Sequence, residues 1–218
     1  GFDTTHWVSV NDEMDYTVRF ENDPDFATSS ASIVFVTIPI DDDIDPFSLR
    51  LSSMGFGNQI ITVPENVSFF QDRIDYSQQL GFWLDVTAGL DFPNNRFLWT
   101  METIDPVTGQ PPTDPTSGFL PVNDTLTGSG EGFINFVCIP RAVTPTGEVV
   151  SHQASIVFDV NDPILTNTWH NTIDAVAPFT SPNIMLDTFY TNVIPFEWSV
   201  NDDPGGCGVQ FSEVLLSN

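Results

Sequence analysis

The chain has 218 residues, and its 30 acidic side chains against five arginines and no lysine give a formal net charge of −25. Phosphate contacts and docking on an anionic bilayer both need basic side chains, so this charge argues against nucleic-acid partners and against membrane-surface binding. Hydrophobic residues make up 40% of the chain, which excludes a disordered polymer. No apolar run reaches the ~20 residues of a membrane helix. Because the chain begins with Gly1, we expect a mature form or an excerpt.

Short β patterns fill most of the chain. Apolar residues alternate or occur in short runs between Pro, Gly, Asn and Asp, which is typical of strands. The first segments are Met14–Glu21 and Ser32–Ile40, where Pro39 marks a strand end because proline cannot donate to a ladder. The further predicted strands are 58–63, 67–74, 80–88, 96–102, 132–139, 149–160 and 164–169. Such a series without intervening helices predicts an all-β antiparallel sandwich.

Two segments interrupt this pattern. Residues 105–130 contain five prolines and four glycines and predict a long loop, which Phe119 and Leu120 would fasten to the sandwich. A second break at 171–182 predicts a boundary between a domain at 1–173 and a module at 174–218. That module shows strand patterns at 183–186, 193–200 and 209–216 only. Because three strands cannot close a sandwich, we expect it to be incomplete.

Two stretches resemble the bacterial surface-protein "conserved repeat" domains. Asp15–Asn22 (DYTVRFEN) resembles their first strand, and Gln153–Asn167 (QASIVFDVNDPILTN) resembles their closing pair of strands. The middle of the chain is similar to a longer subtype from giant exported proteins, and the region after Asp174 is similar to the start of a fibronectin- or immunoglobulin-like module. The resemblance implies an immunoglobulin-like β-sandwich in an extracellular or cell-surface protein, and it implies architecture more than activity.

Three groups of oxygen-bearing side chains are candidate calcium ligands, since calcium binds about 6–8 oxygens from flexible loops. The acidic run at 41–45 is the first, and its alternative is a solvated turn. The second follows the strand at 149–160, where residues 159 and 161 would share a strand face or would cap backbone groups at a corner. In the third group, Asp174 at the domain junction would join Asp202 or Asp203 from the turn at 201–208. The candidate ligands are Asp41, Asp42, Asp43, Asp45, Asp159, Asn161, Asp162, Asp174, Asp202 and Asp203.

The sequence shows no catalytic signature. Its three histidines are scattered, without HExxH, GxSxG or an ordered Ser, His and Asp. Cys138 and Cys207 suit neither a disulfide scaffold nor a zinc pair. We expect them to be unpaired; the alternatives are a bridge between domains and pairing of Cys207 with a group beyond residue 218.

We therefore predict a non-enzymatic structural or adhesive module of an extracellular or cell-surface protein: a spacer, stalk or filament subunit stabilised by calcium. Its expected partners are neighbouring domains or copies of itself. The alternatives are a module that binds surface polysaccharide and an accessory domain of a secreted hydrolase. Sugar binding predicts a line of exposed aromatic side chains, whereas burial of Trp83, Trp99 and Trp198 would count against it.

Overall fold

A computed structural model describes residues 4–114, 116–183 and 197–213 of the chain. The regular elements in these ranges are strands, apart from two single turns of 3-10 helix at Pro46–Ser48 and Phe92–Asn94. In chain order the strands are β1 (Trp7–Ser9), β2 (Met14–Glu21), β3 (Ile33–Pro39), β4 (Arg50–Phe56), β5 (Gln59–Ile61), β6 (Phe69–Tyr76), β7 (Phe82–Asp91), β8 (Arg96–Ile104), β9 (Glu131–Cys138), β10 (Val149–His152), β11 (Ser155–Phe158), β12 (Ile164–Leu165), β13 (Trp169–Asp174), β14 (Phe179–Asn183) and β15 (Glu197–Asn201).

Two large antiparallel sheets form the sandwich. One has the order β2-β9-β4-β5 and the other the order β12-β11-β3-β8-β7-β6. Aromatic contacts join them across the core: the rings of Trp99 and Phe136 lie 5.3 Å apart between centroids, and those of Phe20 and Phe158 lie 6.3 Å apart. The predicted all-β antiparallel sandwich is thus confirmed.

Alternation along the strands explains why this core forms. In β7, Leu84, Val86 and Ala88 point inward and are fully buried, while the residues between them are partly exposed. The same period of two continues in β8 and β9, so three neighbouring sequence segments each supply one apolar face. Burying these faces against each other stabilises the sandwich at about 25 cal/mol for each Å² of apolar surface removed from water.

A third, smaller sheet has the order β1-β13-β10 and arises from a break in two long strands. The predicted strand at 149–160 is β10 followed by β11. The predicted strand at 164–169 covers β12 and only the first residue of β13, which continues to Asp174 and so enters the predicted break at 171–182. At the break the Thr166 hydroxyl accepts from Ala154 N at 3.0 Å, and Thr166 N donates to the Ala154 carbonyl at 2.9 Å. At this point one hydrogen bond to a side chain and one isolated backbone hydrogen bond take the place of regular pairing between the two strands.

The structure adds three strands to those predicted from the sequence: β1, β4 and β14, the last of which lies almost wholly within the predicted break at 171–182. β1 has only three residues, and β4 contains serines and a glycine, so neither presents the clear apolar alternation that marks a strand. β4 is held by pairing with β9 and β5, with a register shift between Leu51 and Met54. Hydrogen bonding to neighbouring strands therefore stabilises a strand whose own sequence lacks the alternation of apolar and polar residues.

Loop 105–130 lies between β8 and β9. The predicted anchoring by Phe119 and Leu120 is confirmed, because both are buried and Leu120 forms an isolated bridge with Ala31. The amide of Phe119 also donates to the Thr103 hydroxyl at 2.8 Å.

After the sandwich, β14 and β15 form a separate two-stranded antiparallel sheet. The predicted strands at 183–186, 193–200 and 209–216 fall partly outside the described residues, and the described positions 209–213 are not in a strand. In the ranges that the structure describes, no helix is long and apolar enough to cross a membrane.

Candidate metal centre

The acidic run at 41–45 folds as a turn whose carboxylates are used by backbone and hydroxyl donors. Asp41 accepts from its own turn, at Asp43 N (3.0 Å), and from Ser151 N (3.0 Å) at the edge of β10. Asp43 accepts from the Thr144 hydroxyl at 3.1 Å, and Asp45 caps the 3-10 turn by accepting from Phe47 N at 3.0 Å. This geometry matches the alternative of a structural turn between strands.

Asp42 takes part in that turn through its backbone. Its carbonyl accepts from Arg141 Nε at 2.7 Å, and the buried Ile44 forms a bridge with Pro140. The run is therefore held against the segment that follows β9.

The predicted shared face of Asp159 and Asn161 is wrong. β11 ends at Phe158, and Asp159 has a φ of +52°, so the chain turns there and the alternation of strand side chains stops. One carboxylate oxygen of Asp159 accepts from Ser32 N at 2.8 Å and from Ile33 N at 3.0 Å. Asp159 thus caps the start of β3, while Asn161 and Asp162 are exposed in the same turn.

The junction brings together residues that are distant in sequence. Asp174, at the end of β13, lies beside Asp202 and Cys207 from the turn after β15, and one ligand atom of each lies within 4.8 Å of the others. Asp174 accepts from Cys207 N at 3.1 Å and from Val176 N at 3.2 Å. Asp202 accepts from Gly208 N at 2.7 Å. The predicted proximity of Asp174 and Asp202 is present.

The electrostatics of the junction are those of a carboxylate pair with a protonated thiol. Burial of Asp174 acts to raise its pKa, but hydrogen bonds from Cys207 and Val176 outweigh it and hold the pKa below its usual value. The Cys207 pKa is raised to about 11, first by its hydrogen bond to Asp174 and then by desolvation and by the two carboxylates. Without a cation the thiol therefore stays protonated at neutral pH.

The oxygen set suits a hard cation. One oxygen each of Asp202 and Asp203 is shielded from solvent without a hydrogen-bond partner among the described residues. Both side chains fold over Gly206, where an added Cβ would lie 2.6 Å from Asp203 and 2.8 Å from Asp202. Asp174 and Asp202 are the carboxylates near enough to share a calcium ion, and solvent would complete its coordination; the predicted ligand Asp203 is not part of the group whose ligand atoms lie within 4.8 Å of one another. Cys207 was not predicted here, because its spacing from Asp174 carries no motif.

Aromatic exposure is mixed along the chain. Trp99 is 1% exposed, whereas Trp198 is 43% exposed and Trp83 is half-buried beneath Arg73, whose guanidinium lies 5.4 Å from the ring. Of the three tryptophans whose burial would count against sugar binding, only Trp99 is fully inside the core.

Comparisons with known proteins give a family model over part of the chain and a distant likeness among solved structures. A family model described as "Domain of unknown function (DUF7619)" matches residues 117–172, which include β9 to most of β13. No curated protein matches the chain. Among solved structures, the chain is similar to the collagen-binding subdomain of the Enterococcus faecalis surface protein ACE, with 10% sequence identity and a TM-score of 0.33 over 74% of this chain and 86% of that one.

Proposed function

We propose that this chain is a non-catalytic structural or adhesive module of a large extracellular or cell-surface protein, acting as a spacer, stalk or filament subunit. The observation that carries the proposal is the parallel pairing of β1 with β13, in which Trp7 lies opposite Thr172 and Ser9 opposite Asp174. A chain whose first and last sandwich strands run in parallel leaves the sandwich in the direction in which it entered. Modules of this kind can follow one another head to tail.

The same pairing suits a load-bearing role. Tension applied before β1 and after β13 pulls the two parallel strands past each other, so their hydrogen bonds resist together rather than one at a time. The Val10 N to Asp174 carbonyl bond (2.9 Å) and the Thr172 hydroxyl to Thr5 carbonyl bond (3.0 Å) extend this contact at both ends.

Single-molecule pulling tests this role. Handles on Thr4→Cys and Ala175→Cys, in a Cys207→Ser background, load β1 and β13 in shear. Handles on Glu148→Cys and Ala175→Cys instead peel the antiparallel pair β10–β13 open from one end. We expect a clearly higher unfolding force for the first pair, and equal forces for the two geometries would contradict the load-bearing role.

We further propose that calcium at the junction stiffens the link between the sandwich and the β14–β15 sheet. The contact of Cys207 N with Asp174 already joins the two, and a cation held by Asp174 and Asp202 would offset the mutual repulsion of these two carboxylates. The partners that follow are neighbouring domains of the same chain or further copies of it.

Calorimetric titration of calcium into chelator-treated protein, with melting temperatures in calcium and in chelator, tests the cation. Wild type and Asp162→Asn, which loses the same charge at an exposed position, should bind and melt at a higher temperature in calcium. Asp202→Asn should lose both effects. The absence of any heat or shift in wild type would refute calcium binding, and retention of both in Asp202→Asn would place it elsewhere.

A further inference from the structure

A groove with a volume of about 620 Å³ follows one edge of β2. All seven consecutive residues Glu13–Arg19 form one wall, and the facing wall includes Thr166, Trp169 and Asn171. Successive side chains of a strand point to opposite faces, so a groove that contacts every residue in turn lies against the backbone edge itself. At ~3.3 Å per residue this wall has the length of an ordinary strand.

The backbone along this edge has free hydrogen-bonding capacity. β2 is the outermost strand of its sheet in the described ranges, with β9 on its other side. The amide of Asn22 bonds to the Gly130 carbonyl at 2.9 Å, and the register with β9 is continuous from there to Met14. Because bonded and non-bonded pairs alternate in an antiparallel ladder, the N–H and C=O groups of Asp15, Thr17 and Arg19 face the groove.

A buried polar atom at the floor of the groove also has no partner. His152 lines the groove and is only 6% exposed, and its Nδ1 has no hydrogen-bond partner in the described part of the chain. Its Nε2 lies 3.9 Å from Cys138 Sγ. Burial lowers the pKa of His152 to about 4, so the ring is neutral at pH 7.

The charge of this edge distinguishes between two possible occupants, a second copy of the chain and a basic peptide. Glu13 and Asp15 are exposed along the wall and outnumber Arg19, and the whole chain carries −25. A second copy would bring the same negative charge and be repelled, whereas a strand with lysines or arginines on its outward face would place them beside Glu13 and Asp15.

We propose that this groove binds an extended cationic peptide segment of a partner protein by strand addition to β2, with small apolar or hydroxyl side chains facing His152 and basic side chains facing solvent. The inference names a partner class for the adhesive role proposed above and rests on that role for its setting. Peptide binding at the groove and calcium binding at the junction are measured in separate titrations, so one proposal can be refuted while the other stands.

The test uses a fluorescein-labelled nine-residue peptide in which lysines alternate with valine and threonine. Fluorescence anisotropy at low salt should show saturable binding that weakens as salt is added. A peptide with glutamate in place of lysine should not bind. Two further peptides carry N-methyl groups on either the lysines or the residues between them, and only the set whose amides face β2 should lose binding. Equal binding by both N-methylated peptides would overturn strand addition.

Variants on the protein side use the free edge of β2. Thr17→Pro removes one groove-facing amide without removing a backbone hydrogen bond to β9. It should lower the affinity for the peptide about tenfold or more, which is the equivalent of one good hydrogen bond. Thr17→Ala keeps the amide and loses the same hydroxyl bond to Asn135, so it should bind nearly as wild type does.

Hydrogen exchange read by mass spectrometry supplies the check that does not depend on a variant. Residues 13–19 of wild type should exchange more slowly with the peptide present. Protection of residues 13–19 without any peptide, together with a dimer in sedimentation velocity, would overturn the proposal in favour of a second copy. No protection with saturating peptide would overturn it as well.

Discussion

Asp159 separates a structural role from a metal-binding one more sharply than any other predicted ligand. Its carboxylate accepts two backbone N–H groups at the start of β3, and its own backbone has a φ of +52°. A series of Asp159→Asn, Asp159→Gly and Asp159→Ala removes these features one at a time. Asn keeps an acceptor oxygen and tolerates the left-handed backbone, Gly keeps only the backbone freedom, and Ala keeps neither.

The magnitudes follow from the two hydrogen bonds and the dihedral angle. A hydrogen bond to a charged group contributes about 1.5–3 kcal/mol, and partial solvent access at Ser32 and Ile33 reduces the combined loss to roughly 2 kcal/mol. The left-handed conformation costs an alanine about 1 kcal/mol more than a glycine. We expect losses in free energy of unfolding of about 1 kcal/mol for Asn, 2 for Gly and 3 for Ala.

Urea unfolding followed by the tryptophan fluorescence of the chain, to which the buried Trp99 contributes, measures these losses in calcium and in chelator. If Asp159 acts as a cap, the order Asn, Gly, Ala holds and is the same in both buffers. A loss for Asp159→Asn that appears only in calcium would show that the carboxylate binds the ion instead. Losses below about 0.5 kcal/mol for Asp159→Ala would refute the cap, since surface substitutions away from such features fall in that range.

Two further predictions concern the core. Burial lowers the pKa of His152 from 6.5 to about 4, against the opposing charge of Asp41, so the unfolded chain binds a proton that the folded chain does not. Stability should therefore be full above pH 6.5 and fall by up to about 3 kcal/mol towards pH 4, and His152→Phe should flatten urea midpoints across that window. At Gly132 an added Cβ would overlap the Phe20 ring, so Gly132→Ala should cost about 2 kcal/mol in urea unfolding, and Phe20→Leu in the same chain should restore part of it; additive losses would contradict this packing.

The local alternation of apolar and polar residues was enough to predict the strands that make up the core. β2, β3, β7, β8 and β9 alternate apolar and polar residues, and each lies within a few residues of its predicted position. β1 and β4 lack that pattern and exist because a neighbouring strand offers a ladder. Splits such as the one at Thr166 depend on hydrogen bonds between segments, and no periodicity within a single segment encodes them.

The candidate site, like the fold, could be predicted only in part from the local sequence. Asp174 and Asp202 could be placed together from their positions beside a junction, but Cys207 joins them only because the turn after β15 folds back through the Cys207 N to Asp174 contact. The groove along β2 was not predicted at all. It depends on which strand lies at the edge of the sheet and on the break at Thr166 opposite it, and both are properties of the topology.

The acidic composition has a local explanation that bears on where a cation can bind. Many aspartates accept from the backbone N–H two residues later, which is the turn-forming bond of a short acidic side chain. The residues that do so are Asp23, Asp41, Asp45, Asp75, Asp105, Asp114, Asp124 and Asp174. Such a carboxylate already has a donor, so a dense acidic run marks turns more than it marks metal. Asp41 and Asp174 also accept a distant N–H on their second oxygen, from Ser151 and Cys207. The junction differs from the run at 41–45 because Asp202 and Asp203 each keep a shielded oxygen without a donor among the described residues. A cation at the junction would meet two carboxylate oxygens without a donor, one on Asp202 and one on Asp203, although both oxygens of Asp174 already accept backbone N–H groups. A cation at 41–45 would have to compete with the bonds that form the turn.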